Sequence, residues 1–202
     1  MGEALDIIHG LLAGEKLDVD GEYYQARTAK LYSPPTGGVP VWMAAGGPKS
    51  ATFAGQKAEG LITSVKDPAD ALERVITPYR QAAAERGAST TIMATRWVVL
   101  AGSDDEAWEA LAAMRGLRAP GRLEVADPMV LRERADAMDR QEILDKYTIV
   151  RDLDQLAEAY KPLVRDVGAD YVAVQVASTD PVDTIKQVGS QVLTALRDWA
   201  RD

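Results

Sequence analysis

Two short stretches carry groups that could hold an anion. The first is Val39 to Lys49, VPVWMAAGGPK: six mostly apolar residues, Pro40 to Ala45, run into Gly46-Gly47-Pro48, and a helical pattern follows from Lys49. A run stopped by glycines and followed by a helix reads as one strand–helix unit of a parallel sheet. Pro48 suits the first helical position, and Gly47 suits the N-cap, where a missing Cβ lets another group approach the backbone. The free N–H groups of that first turn favour an anion or a phosphate; the alternative is a tight strand-to-helix turn with nothing bound. The second stretch is Glu59 to Ser64, EGLITS, with Thr63, Ser64 and Lys66 at its carboxyl end. Ligands of parallel sheets and barrels gather at the carboxyl ends of strands. A hydroxyl, a helix N-terminus and a lysine side by side there read as a phosphate site. Further cations, Arg115, Arg118, Arg122 and Lys146, follow in a charged helical stretch. The alternative for these is solvated surface charge.

Other chemistries find no residues. The one histidine, His9, sits beside Ile8 on an amphipathic helix with no acid or metal partner in view, and reads as structural or solvated. No Ser-His-Asp set can be built around it. There is no cysteine, hence no disulfide framework and no thiolate metal site. HExxH, a clustered carboxylate–histidine set, GxGxxG and the Walker lysine motif are all missing. General acid–base work would fall to carboxylates or tyrosines, none singled out by spacing. No catalytic residue and no metal ligand is therefore assigned.

The elements that must position these groups follow from periodicity and punctuation. Glu3 to Ala13 reads as an amphipathic helix with Leu5, Ile8, Leu11 and Leu12 on one face and Gly14 ending it. Asp20-Gly21 lies between two short alternating runs, a hairpin signal. Ser33 to Gly38 is a Pro/Gly-rich loop feeding the first buried strand. Asp67-Pro68 caps a long helix to about Arg86, with Gly87 terminating it, and Thr91 to Ala101 is a third strand. Ser103 and Glu106 form a capping box for a helix over Asp104 to Met114. Arg115 to Tyr147 is too long for an ordinary strand–helix connection and reads as a helical insertion of the kind that lies over a site. A helix over Leu153 to Val167, a fourth strand over Asp170 to Ala177 and a closing helix from Asp180-Pro181 to about Ala200 complete the chain. Strand and helix alternate, which means an α/β fold with a parallel sheet and outer helices.

Composition narrows the partners. The chain has 202 residues and a formal net charge of −8, which argues against non-specific binding to nucleic acid or an anionic membrane. No stretch approaches the ~18 apolar residues of a membrane span. The acidic, amphipathic start MGEALDIIHG lacks a signal-peptide profile, so a cytoplasmic protein is expected.

The string VPVWMAAGGPKSATFAGQKAEGLITS resembles the middle of the luciferase-like oxidoreductases that use the deazaflavin coenzyme F420, nearest to the F420-dependent glucose-6-phosphate dehydrogenases. EALDIIHGLLAGE, VDGEYYQ and AKLY before it, and GADYVAVQVASTDP and VGSQVL after it, are similar to the same family. The resemblance implies a (β/α) TIM-barrel-type fold of which this chain is the C-terminal half. About four parallel strands with outer helices are expected, with a helical insertion before the last strand. All of it forms a single domain over residues 1–202, with the insertion at about 115–147. The implied cofactor is coenzyme F420, with FMN the second choice. Gly46, Gly47 and Pro48 match the turn that approaches the cofactor's phosphate-bearing tail. Thr63 and Lys66 match the hydroxyl and lysine that hold a substrate phosphate. Arg122 and Lys146 fall near two further basic ligands, where the family pattern has lysine first and arginine second.

The implied reaction is hydride transfer between the deazaflavin and a small molecule, a sugar phosphate or an alcohol-type substrate. The family's cofactor-facing histidine and its tryptophan–glutamate pair lie in the earlier half and have no matching position here. Two alternatives stay open: a non-catalytic half-barrel fragment or binding scaffold, and a flavin-dependent luciferase-like monooxygenase. A half-barrel leaves open edges at Val39–Ala45 and Asp170–Ala177. The expected partner is therefore a second copy or a complementing half-barrel.

Overall fold

The computed structural model describes residues 1–201. They fall into two compact units: Met1–Thr63 with Leu72–Ile92, and Ser64–Ala71 with the chain from Met93 onward.

The first unit opens with helix α1 (Gly2–Leu12). Leu5 is buried, whereas Ile8, expected on the same face, is 42% exposed. Strands β1 (Lys16–Asp20) and β2 (Gln25–Lys30) form the antiparallel hairpin expected around Asp20-Gly21. Glu3 pins that hairpin to α1. Its carboxylate accepts the amides of Glu22, Tyr23 and Tyr24 at 2.9, 3.0 and 3.1 Å. These donors, Tyr23 first, hold the Glu3 carboxyl below its usual range. A depressed folded pKa means a contribution that is complete above the unfolded value of ~4.3 and is lost as pH falls through the folded one. Amide-exchange protection at Tyr23 and Tyr24, corrected for intrinsic rates, is expected to fall as pH drops below about 4. Glu3→Gln should show the same loss at neutral pH; unchanged protection in that variant would refute the pinning role.

Strand β3 (Trp42–Ala44), helix α2 (Pro48–Lys57) and strand β4 (Gly60–Ser64) follow, with β3 and β4 parallel. Gly47 is the N-cap of α2 and Pro48 its first residue, as the spacing predicts. His9 Nε2 lies 3.1 Å from the Lys57 carbonyl oxygen, which ties α1 to the end of α2 and gives the histidine a structural role. After one turn of helix α3 (Pro68–Ala71), which belongs to the second unit, the first unit resumes with a π-turn over Leu72–Ile76 and helix α4 (Thr77–Glu85). Pro78 has no N–H to offer the preceding turn, which accounts for a break in register where a continuous helix is expected.

The second unit is built on β5 (Thr91–Leu100). Helix α5 (Asp104–Ala110) is shorter than the Asp104–Met114 expected. Ser103 Oγ accepts the Glu106 amide at 3.2 Å, but Glu106 reaches back to Gly102 N at 2.7 Å instead of the cap residue's own amide. The insertion is helical: a 3-10 turn over Arg115–Arg118, α6 (Pro128–Asp136) and α7 (Arg140–Leu144). It has a small core of Ala119, Leu131, Ala135 and Ile143. Arg115 belongs to this interior, not to a ligand site: its Nε donates to Asp136 at 2.5 Å and its guanidinium lies 4.3 Å from the Trp108 ring. A short strand β6 (Thr148–Val150), absent from the sequence reading, ends the insertion. Helix α8 (Leu153–Arg165), strand β7 (Tyr171–Ala177), helix α9 (Pro181–Gln187), a π-turn over Val188–Val192 and helix α10 (Leu193–Trp199) complete it. Both β6 and β7 run parallel to β5.

The chain is thus an α/β fold with a core of parallel strands, flanking helices and a helical insertion. The insertion lies between β5 and β6, not directly before the last strand as expected, because the short β6 and helix α8 come in between. Among the described residues β3 pairs only with β4, and β7 only with β5, so each keeps one open edge. No helix among them is long and apolar enough to cross a membrane.

Candidate functional site

Arg96 organises the site from the middle of β5. Its Nε donates to Val65 O at 2.9 Å, Nη2 to Lys66 O at 3.0 Å and Nη1 to Ala159 O at 2.5 Å. Val65 N in turn donates to Thr95 O at 2.8 Å. The segment that leaves β4 is therefore bolted to β5 by one guanidinium and one backbone bond. Burial pushes the Arg96 pKa down, with Tyr160 and Asp67 opposing. A guanidinium starts so high that it stays charged. Asp67 accepts the Asp70 amide at 2.9 Å and turns the chain into α3 directly after Lys66.

Fixed in this way, Lys66 lines a cleft of about 140 Å³ together with Arg96, Trp97, Arg118, Lys146 and Tyr147. The insertion supplies three of those walls. The Arg118 guanidinium sits 4.9 Å from the Tyr147 ring centre, and its Nε is buried without a hydrogen-bond partner. Tyr147 donates its hydroxyl to Met114 O at 3.2 Å. Burial pushes the Tyr147 phenol up, and Arg118 pulls it partly back. Lys146 Nζ is 3.0 Å from Glu142 Oε1, one helical turn earlier. Four cations on one small cleft, in a chain of net charge −8, make a local positive field that the overall charge opposes. What this arrangement can do chemically is desolvate and hold an anionic group.

The sequence-derived residues divide cleanly. Lys66 and Lys146 share the cleft. Arg122 lines an adjoining one with Trp97, Arg118 and Tyr147. Gly46, Gly47, Pro48 and Thr63 belong to the first unit. Thr63 is 3% exposed, and its Oγ1 is buried without a partner. At Gly46 and Gly47 an added Cβ would meet nothing within 4 Å, and no side chain caps the first turn of α2. The donors there are backbone N–H groups open to an incoming anion. Among the described residues no group of three or more His, Cys, Asp or Glu could hold a metal ion. Sequence reasoning missed Arg96, Trp97 and Tyr147; the available signal was an arginine inside the otherwise apolar strand TIMATRWVVL.

The chain combines parallel strands, a helical insertion and a cleft lined by four cations. Residues 1–171 match the luciferase-like monooxygenase family, and the chain belongs to it. It is 29% identical over 184 residues to the F420-dependent glucose-6-phosphate dehydrogenase of Nocardia farcinica (strain IFM 10152), covering 88% of this chain and 54% of that protein. To the protein of the same name from Mycobacterium tuberculosis (strain ATCC 25618 / H37Rv) it is 30% identical over 162 residues, 77% and 48% of the two chains. Its fold is similar to an F420-dependent secondary alcohol dehydrogenase solved with an F420-acetone adduct, with a TM-score of 0.76 at 22% identity over 99% of this chain and 61% of that one. It is also similar to the coenzyme F420 dependent tetrahydromethanopterin reductase from Methanopyrus kandleri, with a TM-score of 0.69 at 21% identity over 96% and 62%. The chain spans about half the length of the curated relatives it matches.

Proposed function

We propose that this chain is the cofactor-tail and phosphate-binding half of an F420-dependent oxidoreductase, a single C-terminal (β/α) half-barrel domain over residues 1–202. The observation that carries the reading is the meeting of Lys66 and Lys146, distant in sequence, on one cleft with Arg96 and Arg118. Lys66, Lys146 and, from the adjoining cleft, Arg122 hold the phosphate of the substrate. Gly46, Gly47 and Pro48 receive the anionic tail of the cofactor on the uncapped first turn of α2. The bare backbone at both glycines and the uncapped N–H groups fit such a tail. When bound, the deazaflavin supplies the hydride acceptor or donor; this chain's residues bind and orient. The remaining strands come from a second copy or a complementing half-barrel pairing on the open edges of β3 and β7.

The test is titration of the purified chain with coenzyme F420, followed by its fluorescence, with FMN alongside. Saturable F420 binding is expected, weakened at least about tenfold in Gly47→Val, whose side chain would crowd the α2 amides. Gly47 has an extended backbone at φ −161°, so valine fits there without strain. Preferential binding of FMN would favour the monooxygenase alternative. No binding of either by a folded chain would favour the scaffold reading.

A further inference from the structure

The cationic cleft does not stand alone. Trp97, Arg118 and Tyr147 also wall a second cleft of about 360 Å³, completed by Met114, Leu117, Arg122 and Leu123. The two differ in chemistry. The first is floored by lysine and arginine. The second is mainly apolar, and its large side chains are held open to solvent: Leu123 is 91% exposed, Leu117 59% and Trp97 46%. Single exposed hydrophobics are ordinary, but several converging on one concave wall beside a charge cluster are not. Arg118 stands at the border, its Nε buried and unpartnered and its plane against Tyr147. The Tyr147 hydroxyl is already committed to Met114 O. This wall thus offers few polar atoms to the hydroxyls of a sugar, and hydroxyls desolvated against leucine are penalised. It offers apolar area to a ligand whose body lacks them.

We infer that the ligand of this site is an organic phosphate with an apolar, aryl-type body. Its charged group seats against Lys66, Arg118 and Lys146, and its body lies over Trp97, Leu117 and Leu123. The inference rests on the anion-site reading above and deepens it by naming the substrate class. Arg118 acts twice in it, as a cation toward the phosphate and as the shared wall where head and body join.

The experiment is calorimetric titration of the full chain with inorganic phosphate, glucose 6-phosphate and phenyl phosphate, in the wild type and in a Leu117→Ser/Leu123→Ser variant. Both leucines are exposed, so the variant keeps the fold. Phenyl phosphate is expected to bind at least about tenfold tighter than glucose 6-phosphate. The variant should lose that advantage and keep its affinity for inorganic phosphate. If phosphate binds but phenyl phosphate is no tighter than glucose 6-phosphate, or if the advantage survives in the variant, the substrate class is wrong and the anion site stands. If no anion binds to a folded chain, the anion site fails and the substrate class falls with it.

Discussion

Arg96→Met is expected to lower the stability of the chain by about 3 kcal/mol and to weaken phosphate binding beside Lys66 at least about tenfold. Three carbonyl oxygens, of Val65, Lys66 and Ala159, accept from this one side chain. Charge-assisted bonds of this kind are worth roughly 1.5–3 kcal/mol each. Against that stands the cost of burying the guanidinium, the largest influence on its pKa. Methionine recovers that cost but leaves the three acceptors without their donor, so the loss dominates. Function follows because two of the acceptors flank the Lys66 side chain: freed, the segment leaves Lys66 mobile at the cleft. Arg96→Lys should fall in the same direction, since one ammonium cannot span three carbonyls as a planar fork does. Urea unfolding gives the stability difference, and phosphate titration at low denaturant gives the affinity. A folded Arg96→Met chain that binds phosphate as tightly as the wild type would remove Arg96 from the site's architecture.

The same residue marks the boundary of what the sequence discloses. Strand–helix alternation was legible because period and punctuation are local: Gly47-Pro48, Asp67-Pro68 and Asp180-Pro181 all begin helices where expected. Lys66 was legible by position, as a cation at a strand's carboxyl end. Arg96 was not, because its function is defined by carbonyls that meet it only after folding. Arg115 and Arg118 read alike in the sequence, yet one is sealed against Asp136 and Trp108 while the other borders the clefts. Their separation depends on how a 3-10 turn, not a regular helix, presents them. Strand β6 escaped for a simpler reason. Three residues, TIV, carry too little pattern, and their pairing with Val98–Leu100 is non-local.

Gly55→Ala is expected to destabilise the chain by about 2 kcal/mol, seen as a fall of roughly 6 °C in Tm. From the sequence alone the opposite sign follows. Gly55 lies inside α2, where glycine is worse than alanine by about 1 kcal/mol. The packing reverses it. A Cβ at Gly55 would stand 2.4 Å from the Tyr79 carbonyl oxygen, 2.8 Å from Ala82 Cβ and 2.9 Å from Ala83 N. Two of those three neighbours are α4 backbone atoms, which cannot rotate away, so α2 and α4 would have to separate. Overpacking of this kind costs about 1–3 kcal/mol or somewhat more, which exceeds the propensity gain. Separation also pulls on Arg86, whose Nε donates to Gly55 O at 2.7 Å and whose Nη2 donates to Ala58 O at the end of α2. Gly189→Ala is the matching control. No atom lies within 4 Å of a Cβ built there, so that variant should be neutral or gain up to about 1 kcal/mol. Thermal or urea unfolding of the two variants reads the difference directly. Equal stability of Gly55→Ala and Gly189→Ala would mean that the α2–α4 approach is looser than these distances require.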